Sequence, residues 1–157
     1  MGNQVIIRYT IGEDEWARSS AMRWQEDVFP TYYCFYGLVS FRVGDREVLG
    51  DGQFDMSVAD LAVGLARIAG ELRTATSGVH KFQQSDDMLE ISFETSGDLV
   101  VVSHNLAPGQ SWPCSRCALE AGIVDFVTSF ANEAGEKIAD LFSWKDMEGL
   151  QGFRVRT

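Results

Sequence analysis

Three cysteines, an odd number, do not make the disulfide framework of a small secreted domain. Long apolar runs are missing as well. Nowhere do about 18 apolar residues follow one another, as a membrane-spanning helix requires. The opening stretch, MGNQVIIRYTIGEDEW, has neither the basic region nor the apolar length of a secretory signal. Met1-Gly2 has the form of a myristoylation start, but Ile6 fills the place that needs Ser or Thr. The expected location is therefore cytoplasmic. Positive charge is scarce: 13 Lys and Arg face 23 Asp and Glu, for a formal net charge of −10. Such a balance repels nucleic acid and anionic lipid and attracts basic partners. No G-x-S-x-G, P-loop, H-E-x-x-H or Rossmann fingerprint is present, so no enzymatic activity and no cofactor are expected.

What the chain does contain is enough apolar material, 45% of 157 residues, for one sizeable core, and a single domain over 1–157 is expected. Its clearest local signal runs from Met88 to His104. Leu89, Ile91 and Phe93 alternate with Glu90, Ser92 and Glu94, Ser96-Gly97 turns the chain, and Leu99 to Val102 returns as a strand. The expected pairs are Phe93 with Val100, Ile91 with Val102 and Leu89 with His104, with the glutamates facing outward. Upstream, Gln4 to Ile11 reads as a strand ended by Gly12 and the acids Glu13-Asp14-Glu15. Residues 16 to 30 are ambiguous, although Trp16, Ser20 and Trp24 share a helical face.

Tyr32 to Val43 is rich in aromatic and β-branched residues and reads as strand, with Gly37 marking a bulge or bend. Gly44-Asp45 turns it back, pairing Phe41 with Val48 and Arg42 with Glu47. Ser57-Val58-Ala59-Asp60 is a variant capping box opening a helix to about Thr74, whose apolar stripe is Leu61, Leu65, Ile68 and Leu72. Val79 to Gln84 then forms a meander with the central hairpin, with Phe82 facing Ile91 and His80 facing Phe93. A second helix runs from about Ser115 to at least Ala131, with Gly135 as a possible break and Phe153 to Thr157 as a short strand or frayed tail. The expected fold is α+β: an antiparallel β-sheet of about six strands, built of β-hairpins and a meander, with two main helices packed on one face.

Cys114-Ser115-Arg116-Cys117 is the sharpest local motif. Two cysteines three apart at a helix start can share a metal or a disulfide, and helix amides with Arg116 would lower a thiol pKa there. A zinc site would need two more ligands from His80, His104 and Cys34, but the expected meander holds the two histidines roughly 16 Å apart. A redox reading lacks the parallel βαβ surroundings and the directly preceding Trp of thioredoxin, since Pro113 intervenes. The plain alternative is two reduced, small helix-start residues, and His104 and His80 are read as rim histidines.

The aromatic strand YYCFYGLVSFRV, the polar hairpin after it, the Ser-Val-Ala-Asp-Leu helix, the meander and the closing helix together resemble small acidic immunity proteins of bacterial toxin systems. The likeness is one of layout over most of the chain and carries over no functional residue. It implies a cytoplasmic binding module that engages a cognate toxin domain, expected to be basic, and occludes its active site. For a nuclease toxin the contact groups would be Glu13, Asp14, Glu15, Asp86 and Asp87, with Trp16 or Trp24 as anchor. The plainer reading of each acid is an ordinary solubilising charge. The competing function is a zinc or redox protein centred on Cys114 and Cys117. An enzyme using His104 is the third.

Overall fold

Alternation of apolar and polar residues builds two antiparallel sheets. The computed structural model describes residues 4–22, 34–86, 88–144 and 146–154, so the expectations for Trp24, Tyr32, Tyr33 and Asp87 lie outside the described residues. The first sheet has the order β1-β2-β3, with β1 at Val5–Thr10, β2 at Tyr36–Val43 and β3 at Arg46–Ser57. The second has the order β4-β5-β6-β7, with Ser77–Gln83, Glu90–Ser96, Leu99–His104 and Trp112–Ser115. The fold is α+β and antiparallel, but the strands divide between two sheets. Three helices accompany them: α1 at Glu13–Ala21, α2 at Val58–Thr74 and α3 at Arg116–Lys137. Helix α2 packs on β4 and β2, α3 packs on β1 and β7, and the helices touch each other. Apolar side chains from both sheets and all three helices join one buried cluster.

The meander has the expected register between β4 and β5, where Phe82 pairs with Ile91 and His80 with Phe93. Between β5 and β6 the register differs by two residues: Ile91 pairs with His104, Phe93 with Val102 and Thr95 with Val100. The turn is made by Gly97 and Asp98, with Gly97 at φ 60 in the first central position, where a left-handed backbone suits glycine. A shift of two keeps the inner face intact, and Leu89, Ile91, Phe93, Val100 and Val102 are all fully buried. In the first sheet Arg42 pairs with Glu47 as expected, but Phe41 pairs with Leu49 because the register shifts on either side of it. Gly37 is not the bulge. It pairs regularly with Met56, and a Cβ there would run into the Thr10 carbonyl, so its role is close backbone approach.

Ser57 caps α2 by accepting from the Asp60 amide at 3.2 Å, and the stripe Leu61, Leu65, Ile68 and Leu72 is buried. Asp60 does not reach back to the cap. Its carboxylate accepts from the Ser85 amide at 2.8 Å and the Ser85 hydroxyl at 2.7 Å. Ser115 caps α3 in the same way through the Ala118 amide at 3.1 Å. Gly135 does not break α3, which continues to Lys137. A Cβ at Gly135 would stand 3.0 Å from the Phe142 ring and 3.2 Å from the Arg154 guanidinium, so the missing side chain leaves room for both to pack there. Two 3₁₀ turns, Leu141–Ser143 and Glu148–Phe153, close the chain against α3 and α2, and Phe153 lies in the second rather than in a strand.

Candidate functional site

The acidic cluster after β1 separates into two kinds of residue. Gly12 supplies the helix cap without a side chain, and Glu13, Asp14 and Glu15 fill the first turn of α1, where negative charge complements the helix dipole. Glu15 turns inward. It accepts from the Tyr36 amide at 2.9 Å and the Ser19 hydroxyl at 3.2 Å, and it pairs with Arg18 at 2.6 Å. Burial pushes its carboxyl up, but the bonds from Arg18, Tyr36 and Ser19 outweigh that and hold it below the usual 4.5. Glu15 therefore joins α1 to β2. Glu13 and Asp14 are exposed and make no hydrogen bond or ion pair among the described residues.

Trp16 is not a surface anchor. Only 6% of it is exposed, and its ring packs on Phe130 at 6.3 Å and Phe35 at 5.7 Å. The amphipathic pattern of α1 puts it on the buried face with Ser19, whose hydroxyl accepts the amide of Phe35 at 3.0 Å. That bond helps hold Phe35 at φ 61, an unusual backbone for a bulky residue. Lys137 at the end of α3 lies 5.3 Å over the Trp16 ring, so the end of α3 meets α1. No local signal in the sequence links residue 137 to residue 16. The link appears only once α3 crosses β1. Within this region Tyr9 donates to Glu133 at 2.7 Å, and burial first, then Glu133, pushes its hydroxyl up.

Asp86 is exposed and accepts the Met88 amide at 3.1 Å, an Asx turn between β4 and β5. It stands near Asp60, which lies in the first turn of α2. Burial pushes the Asp60 carboxyl up, against the two bonds from Ser85.

The two motif cysteines sit in different environments. Cys114 lies on β7 and is buried, whereas Cys117 is exposed in the first turn of α3. Burial pushes the Cys114 thiol up to about 11, the opposite of the lowering expected at a helix start. Arg116 is engaged by backbone carbonyls. It donates to the carbonyls of Leu72, Ala75, Thr76 and Gly97, closing the end of α2 and the β5–β6 turn. Cys34 is buried and pushed up to about 11 as well. Among the described residues, no three His, Cys, Asp or Glu side chains form a group able to hold a metal.

The histidines serve different partners. His80 approaches Glu71 at 3.3 Å beneath α2. His104 bonds through Nε2 to the Val48 carbonyl at 2.6 Å and accepts the Leu106 amide on Nδ1 at 3.2 Å, which fixes the neutral Nε2–H tautomer. Its ring stacks on Trp112 at 5.3 Å, and Arg46 lies over the far ring. His104 is thus a bridge between the two sheets. The revised register puts it roughly 12 Å from His80, still beyond a shared metal. The chain matches no family model, no curated protein and no solved structure.

Proposed function

We propose that this chain is a protein-binding inhibitor of the immunity type, which engages a cognate bacterial toxin domain and occludes its active site. One observation carries the reading: Glu13 and Asp14 are exposed in the first turn of α1 and make no hydrogen bond or ion pair among the described residues. The helix dipole accounts for a carboxylate in the first turn, and Glu15 already meets that need while bonding Tyr36. The remaining charges add to a field of net charge −10, which accelerates encounter with a basic surface and supplies rim contacts to it. The binding reading is kept over the zinc or redox reading because the two motif cysteines face different environments and the buried one resists ionisation.

The test is a titration against the protein encoded next to this chain, at low and at high salt. Tight binding that weakens as salt rises, and a slower association for a Glu13→Ser, Asp14→Ser double variant, supports the proposal. Absence of binding at low salt overturns it.

A further inference from the structure

A cavity of about 300 Å³ opens between α2 and the 3₁₀ turn Glu148–Phe153. Val63, Ala66, Leu150 and Phe153 give it apolar walls, and two charged residues, Arg67 and Asp146, border it. Their states differ. Arg67 donates to Glu71 at 2.9 Å and to the Lys81 carbonyl at 2.7 Å, so its charge and two of its donors are matched within the protein. Asp146 is half-buried and makes no hydrogen bond or ion pair among the described residues. Its backbone sits at φ 69, a conformation that aspartate tolerates better than most residues and that fixes where the side chain leaves the chain. A carboxylate set against apolar walls lacks the full hydration it has in water, and a cationic donor is its complement.

We propose that this cavity binds a small organic cation: an ammonium or amidinium carried on an aliphatic or aromatic body of about ten non-hydrogen atoms, the size that the volume admits. The apolar body lies against Val63, Ala66, Leu150 and Phe153, and the cationic head pairs with Asp146. An anion is disfavoured on two counts, since Arg67 is already engaged and the whole molecule is acidic. The site is separate from the acidic turn of α1 and does not depend on the protein having a protein partner.

The experiment is an amide-resolved NMR titration of the intact protein with 2-phenylethylammonium and, in parallel, with 2-phenylethanol, which keeps the body and removes the charge. Saturable shifts confined to α2 and the 3₁₀ turn are expected, with a dissociation constant on the order of 1 mM. The alcohol is expected to bind at least about tenfold more weakly. Asp146→Asn keeps a side chain suited to this backbone, and it should weaken the ammonium by about tenfold while leaving the alcohol unchanged. Equal affinity for the two ligands, or shifts spread over the acidic surface without saturation, overturns the proposal.

Discussion

At the scale of single residues, the neighbours Glu13, Asp14, Glu15 and Trp16 do opposite work. Trp16→Ala removes a buried ring that touches Phe35 and Phe130, and it should cost about 3–5 kcal/mol in denaturant unfolding. The Glu13→Ser, Asp14→Ser pair should stay within about 1 kcal/mol of the parent in the same experiment, because only a favourable term with the helix end is lost. A large loss of stability in that pair would mean that the two acids hold the fold and are not free for a partner. Glu15 gives a pH signature. Its folded carboxyl titrates below the unfolded one, so its contribution is present above the ordinary 4.5 and is lost as pH falls through the lower folded value. Glu15→Gln should therefore cost about 1–3 kcal/mol at neutral pH and flatten the acid limb of the stability profile. Asp60, raised by burial, acts in the reverse sense and favours folding as it protonates. Thiol labelling at neutral pH should find Cys117 reactive and leave Cys34 and Cys114 untouched until unfolding, since burial raises both of the latter to about 11.

At the scale of elements, the packing of α3 on β1 depends on a missing side chain. A Cβ at Gly122 would stand 2.6 Å from the Val5 carbonyl, and the obstacle is backbone, so it cannot swing aside. Gly122→Ala improves helix propensity by about 1 kcal/mol, yet thermal unfolding should show a net loss of about 1–3 kcal/mol. Sequence patterns located both long helices, the Ser57 cap and the β4–β5 register, because each rests on residues near one another in the chain. The β5–β6 register was less legible. A two-residue slip leaves Ile91, Phe93, Val100 and Val102 on the same face, so hydrophobic alternation fits both pairings, and only the position of Gly97 within the turn decides. The bulge around Phe41 and the division into two sheets leave no local trace, because they depend on which edges meet. The same limit applies to the candidate site. Nothing in Glu13-Asp14-Glu15 reveals that the third acid bonds Tyr36, since that bond spans the segment between α1 and β2.

At the scale of the whole molecule, the two sheets are tied by a common core and by the His104 bridge to Val48. The helices contribute too, since α2 reaches β2 and β4 while α3 reaches β1 and β7. The Val5–Gly122 contact, so short that no side chain fits, also sets a clock on biosynthesis. A ribosome adding about 5–20 residues per second needs roughly 6 to 23 s to pass from one of these residues to the other. Throughout that interval Val5 and Ile7 have no α3 to cover them, and the β1-β2-β3 sheet waits with an unfinished inner face. The nascent chain is then a natural client for holding chaperones, and a message stalled before α3 would release a sheet prone to aggregate rather than a smaller working protein.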